Sequence, residues 1–243
     1  MSDLLAAAAA TLGITGIAFI PVFVWLAFWL FQDWVHPEPR RRLFYAFLAG
    51  MLAVPLVLPF QKIASDILPF DATLLASWAF IEEVVKLGLA WLLVLYHRSV
   101  DEPIDFPIYL ITVALGFSAV ENMLFLFSPF FAAEYLEGAI TGNLRFLGAT
   151  LIHVVSSALI GAFLAFSFFR STLEKWVYAI IGVILATALH TFFNVLILST
   201  GAERILNVFL GVWVGVIFLL LALERIKLLR PPSWWEQMFI NSR

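Results

Sequence analysis

A helix needs about 20 consecutive apolar residues to cross the hydrocarbon core of a bilayer. Seven stretches of this chain qualify or nearly so: Thr11–Phe31, Leu43–Phe60, Thr73–Tyr96, Pro107–Phe127, Phe146–Phe169, Trp176–Leu198 and Ile205–Leu223. The pattern predicts an all-α fold, a polytopic transmembrane helix bundle of about seven helices. An eighth, re-entrant piece fits within Ser128–Arg145. The connectors are too short to divide the chain and no internal repeat is visible, so residues 1–243 read as a single integral membrane domain. Composition agrees: 63% of residues are hydrophobic, 13% are charged and the mean hydropathy is +1.00. A soluble domain is nearer half apolar and a quarter charged. Cysteine is absent, which removes disulfides, thiolate metal sites and cysteine nucleophiles together. The net charge of -3 comes without a basic run of the nucleic-acid type, so no nucleic-acid partner is expected. The N-terminus, MSDLLAAAAATLG, lacks the basic region of a cleavable signal. Leu4–Phe31 is therefore read as containing a retained first helix.

Lysine and arginine orient the bundle. One side carries Arg40, Arg41, Arg42, Arg98, Arg170 and Lys175, and after the last helix Arg225, Lys227, Arg230 and Arg243; the other carries Lys62, Arg145 and Arg204. The expected topology has the N-terminus outside and the C-terminus in the cytoplasm of a bacterial-type plasma membrane. The tail at 231–243 holds Trp234, Trp235, Met238 and Phe239, a pattern suited to a short segment lying in the interface. Pro55 and Pro59 are expected to kink the second helix near its outer end.

Against this apolar background the ionisable residues stand out, because each costs about 3 kcal/mol to place at the centre of a membrane helix. The third stretch has Glu82, Glu83 and Lys86, and the fourth has Glu121 and Asn122. The fifth has His153, Ser156 and Ser157, and the sixth has His190 and Asn194. At about 1.5 Å of rise per residue, Glu82 lies roughly 13 Å, Glu121 roughly 9 Å, His153 roughly 10 Å and His190 roughly 12 Å from the proposed outer ends. Helices running in alternating directions thus place their polar groups in one layer, in the outer half of the bilayer. Glu82 and Lys86, and likewise His190 and Asn194, share a face at i,i+4. Glu83 is turned about 100° from Glu82, so the two carboxylates point at different neighbours. The bland readings are a buried ion pair orienting the third helix and, for the serines and Asn194, interhelical hydrogen bonding. His36 and His97 fall in loops and look incidental. Two intramembrane histidines in one layer with carboxylates nearby favour a functional site.

The ordered set Glu82-Glu83-Val-Val-Lys86, Phe117-Ser-Ala-Val-Glu121-Asn122, His153 and His190-Thr-Phe-Phe-Asn194 resembles the PrsW family of intramembrane proteases. It is more distantly similar to the CAAX-protease and bacteriocin-processing family, with FxxxE here in place of that family's FxxxH. The motifs fall on the third to sixth helices, 73–198, each on its own helix and in order. The resemblance implies a proteolytic fold in which Glu82 and Glu83 are the paired glutamates and His153, His190 and Asn194 complete the site. It also implies a membrane-anchored protein substrate, such as an anti-sigma-factor-like regulator, cut near the outer membrane face.

Peptide hydrolysis needs an activated water, a stabiliser for the oxyanion and a proton for the leaving amine. No serine sits in a nucleophile-like context, so direct attack by water is preferred, with Glu82 as base. In this reading Glu83 and Lys86 tune its charge, His190 and Asn194 donate to the oxyanion, and His153 orients the water or protonates the amine. No cofactor is required. The rival uses Glu82, His153 and His190 as ligands of a catalytic zinc, although HExxH is absent and the histidines lie on different helices. A different class, the proton- or ion-coupled transporter, also uses intramembrane Glu, His and Lys, but its inverted repeats and matching broken helices are not found.

Overall fold

The computed structural model describes residues 2–34, 36–96, 100–132, 136, 140, 144, 148–199 and 205–232. The interfacial tail with its tryptophans, Arg145, and most of the expected re-entrant piece lie outside these residues. Among them the regular structure is helical, with no strand. The helices are α1 (Ser2–Leu30), α2 (Arg40–Ile67), α3 (Ala72–Ala90), α4 (Asp105–Phe131), α5 (Thr150–Phe166), α6 (Thr172–Ser199) and α7 (Ile205–Lys227). The seven expected spans correspond one to one with these helices.

Five of the helices are long and apolar enough to cross a membrane: α1 over Thr11–Leu30, α2, α4 over Asp105–Phe127, α6, and α7 over Leu206–Lys227. The protein is an integral membrane helix bundle. The two helices outside that set have physical reasons to be exceptions. α3 carries Glu82, Glu83 and Lys86 in its middle. α5 is only 17 residues long, and it is enclosed on its sides by α3, α4, α6 and α7. Nearly every residue from Thr150 to Ala165 is buried, His153, Ser156 and Ser157 included. Large apolar side chains on the outer helices, among them Ile180, Ile184, Leu210, Ile217 and Phe218, remain exposed, as they must where lipid is the solvent.

Helix ends depart from the sequence expectation where polar residues continue a helix. α2 runs past Phe60 to Ile67, unbroken by Pro55 and Pro59, so Gln61, Lys62 and Asp66 are helical and not connector residues. Lys62 and Asp66 form an i,i+4 ion pair on its exposed face, which supports this polar extension. α6 starts four residues before Trp176 because Ser171 and Glu174 form a capping box. The Glu174 carboxylate accepts from Ser171 N at 3.0 Å, and Ser171 Oγ accepts from Glu174 N at 3.4 Å. α3 is started by Asp71, whose Oδ1 accepts from Thr73 N at 2.7 Å and Leu74 N at 3.4 Å. That cap sets the register which places Glu82 three turns down. α3 closes in a wider π-type turn over Trp91–Leu95.

α2 and α4 touch backbone to backbone. A Cβ on Gly50 would sit 1.9 Å from Val113 O, and one on Gly116 would sit 2.0 Å from Phe47 O. Neither position has room for a side chain, so reciprocal glycines let the two axes approach as small residues do between membrane helices.

Candidate active site

The polar residues of the expected layer are carried by four helices, α3 to α6, and the bundle brings the main ones within contact. On α3 the successive carboxylates diverge. Glu83 and Lys86 are fully buried and form an ion pair, Nζ to Oε1, of 2.6 Å. The pair is i,i+3, in place of the i,i+4 pairing of Glu82 with Lys86 that the spacing allowed. Glu83 Oε1 also accepts from His190 Nδ1 at 3.1 Å, and its Oε2 accepts from Ser157 Oγ at 3.0 Å. Glu83 is thus a hub with both oxygens occupied, by donors from α3, α5 and α6. Lys86 lies over the Phe117 ring at 4.8 Å and reaches His153 Nδ1 at 3.3 Å.

Glu82 faces the other way, into a cavity of about 630 Å³. Its Oε1 accepts from Gln61 Nε2 on α2 at 2.8 Å. Its Oε2 is buried and has no hydrogen-bond partner. That atom stands 3.8 Å from His153 Nδ1 and 3.8 Å from His190 Nε2. The two imidazoles meet edge to face with centroids 4.8 Å apart. Glu121 on α4 completes the group, its Oε2 2.9 Å from His153 Nε2. Glu82, Glu121, His153, His190 and Asn194 all line the cavity, and Gln61 joins them; Phe70, Trp78, Phe125 and Phe209 contribute apolar wall. The lining comes from the C-terminal parts of α2, α4 and α6 and the N-terminal parts of α3, α5 and α7. These are the same end of an antiparallel bundle, the end away from Arg40, Arg41 and Arg42.

Hydrogen-bond chemistry assigns the tautomers. Glu83 is an acceptor, so His190 donates to it from Nδ1 and, when neutral, turns the Nε2 lone pair toward Glu82. Lys86 is a donor, so His153 accepts at Nδ1 and donates from Nε2 to Glu121.

Three expected residues do not line the cavity: Lys86, which pairs with Glu83, Asn122, and Glu83 itself. Asn122 donates to Thr150 Oγ1 at 3.0 Å and fastens α4 to α5; it does not line the cavity. Glu83 is underneath the cavity and does not face into it. Sequence reasoning missed Gln61, which it assigned to a connector. A signal was present: Gly50, Ala53, Val54 and Val57 form the buried stripe of α2, and the next position on that stripe at helical spacing is Gln61.

The sequence profile described as "PrsW family intramembrane metalloprotease" matches residues 38–222. The chain belongs to the PrsW family of intramembrane proteases. "Protease PrsW" of Geobacillus kaustophilus (strain HTA426) is 27% identical over 208 residues, covering 83% of this chain and 85% of the relative. "Protease PrsW" of Shouchella clausii (strain KSM-K16) is 27% identical over 156 residues, covering 63% and 68%. No solved structure matches the chain. The matched region takes in α2 through most of α7, and with them every cavity-lining residue named above.

The family description implies a metal, and the side chains here are of the right kind for one. One ligand atom each from Glu82, His153 and His190 lie within 4.8 Å of one another, the donor set of many catalytic zinc sites. Behind His190 stands Glu83 and behind His153 stands Glu121, as carboxylates stand behind zinc-binding imidazoles. One feature counts the other way: the His153 nitrogen nearest Glu82 also faces the Lys86 ammonium.

Proposed function

We propose that the protein is an endopeptidase that hydrolyses membrane-anchored protein substrates inside its cavity, with Glu82 as the general base. The observation that carries this is the buried, unpartnered Oε2 of Glu82 facing the His190 Nε2 lone pair at 3.8 Å. That separation is too long for a hydrogen bond and suits a water donating to both atoms. Such a water gives one proton to Glu82 as its oxygen attacks the scissile carbonyl. Asn194, one turn from His190, supplies an amide N–H for the oxyanion. When the C–N bond breaks, Glu82 returns its proton to the leaving amine. His190, with Nδ1 committed to Glu83, holds the water; this assignment replaces the oxyanion role expected from its i,i+4 relation to Asn194. His153, donating to Glu121 and accepting from Lys86, fixes the floor of the site. With the arginine-rich side taken as cytoplasmic, the cavity lies in the outer half of a bacterial-type plasma membrane, N-terminus outside.

A second reading places zinc on Glu82, His153 and His190, where it would supply a Lewis acid for the water and the carbonyl. The convergence of these three donors with carboxylates behind both imidazoles favours it. Purified protein, assayed with a quenched fluorescent transmembrane peptide, separates the two. The metal-free reading expects well under one zinc per chain, activity that survives chelation, and a fall in kcat of at least about 10²-fold in Glu82→Gln. Stoichiometric zinc that is lost in His153→Ala and His190→Ala establishes the metal reading instead.

A further inference from the structure

We infer that Gln61 is a positioning residue: its side-chain amide aims the Glu82 carboxylate. The inference rests on the reading of Glu82 as the base. A glutamate side chain has three rotatable bonds, and a base that rotates turns its carboxylate away from the reacting water. Gln61 Nε2 reaches across from α2 to hold Glu82 Oε1 at 2.8 Å, which leaves Oε2 turned toward His153 and His190. Facing a carboxylate, the amide must present its nitrogen, since its oxygen could not donate. The bond is one half of a two-way clasp. Trp78 lies one turn before Glu82 on α3 and donates its indole N–H to the Gln61 backbone carbonyl at 3.2 Å. α3 is thus tied to Gln61 twice, at Glu82 and one turn before it. At its other end α2 is held against α4 by the Gly50 and Gly116 contacts, so the amide is mounted on a fixed helix. The donor is also neutral. Glu83, with an ammonium 2.6 Å away, has its charge matched, while Glu82 is held in place with its charge left for the proton it must take.

The test uses the full-length protein in detergent, the same quenched fluorescent transmembrane peptide, and Gln61→Met, which keeps length and bulk but removes the donor. A hydrogen bond to a charged group is worth about 10- to 100-fold in an equilibrium or rate constant. Gln61→Met and Gln61→Ala should both lose kcat in that range, with KM within about twofold of wild type if the bond matters in the transition state. The thermal midpoint of Gln61→Met should fall by only a few degrees, leaving the protein folded at the assay temperature. In a Glu82→Gln background, Gln61→Met should cost nothing further, because the partner it served is gone. The infrared carboxylate band that disappears in Glu82→Gln should shift in Gln61→Met and stay put in Lys62→Met, whose exposed side chain pairs with Asp66. Wild-type kcat in Gln61→Met, or an undiminished cost in the Glu82→Gln background, overturns the inference and leaves the Glu82 reading standing. Normal cleavage by Glu82→Gln itself overturns both.

Discussion

Glu82 and Glu83 differ by one backbone step and about 100° of helix rotation, and that rotation separates an anchored carboxylate from an available one. Glu83 is enclosed by Lys86, His190 and Ser157. Replacing it with glutamine leaves the Lys86 ammonium buried without its counter-ion, a loss of about 3–5 kcal/mol for breaking a buried pair from one side. The expected outcome is a marked fall in the thermal midpoint of Glu83→Gln in detergent, while Glu82→Gln melts close to wild type. Equal midpoints would mean that the hub is not structural. A loss of cleavage in Glu83→Gln at temperatures where it is still folded would give that residue a share in the chemistry. The ionisable residues themselves were legible as soon as the apolar stretches were drawn, because each is costly in a membrane helix. Their division of labour was not. It depends on partners 74 and 107 positions away in the chain, and i,i+4 spacing pointed Lys86 at the wrong glutamate.

Helix identity was readable from the apolar runs alone, and helix ends were not. The apolar run of α2 stops at Phe60, but the helix continues because Gln61 finds a partner on α3 and Lys62 finds Asp66. The Ser171–Glu174 box that starts α6 is a local signal that the apolar count passes over. Close approach between helices is also invisible in a linear pattern: Gly50 and Gly116 matter because each lies against a backbone carbonyl of the other helix. Gly116→Ala must therefore push α2 and α4 apart. The expected cost is about 1–3 kcal/mol, as for other overpacked sites, together with reduced cleavage, since Gln61 and Glu121 ride on the two helices being separated. Gly88→Ala is the matched control, because a Cβ there meets nothing within 4 Å. Thermal unfolding of both variants decides it; equal midpoints would refute the glycine contact.

At the scale of the whole molecule, the proposal depends on which side of the membrane the cavity faces. Reporter fusions after Arg42 and Lys175 should read cytoplasmic, and a fusion between Leu68 and Asp71 should read external, as the distribution of Lys and Arg requires. External signals from the arginine-rich connector would invert the site. The asymmetry of the bundle carries a further consequence, an electrical one. The cavity that holds the site lies toward one end of the helices. Toward the other end, Ile108, Leu110, Ile111, Val113 and Ala114 of α4 are buried. There the Tyr109 hydroxyl donates to Glu38, itself buried. On the proposed reading, water entering the cavity ends at the polar floor, against several turns of buried, close-packed side chains. If hydrolysis takes place in that cavity, the voltage across the membrane falls over the packed end, and protons exchanged in the reaction return to the side from which they came, so water is held inside a bilayer without short-circuiting it.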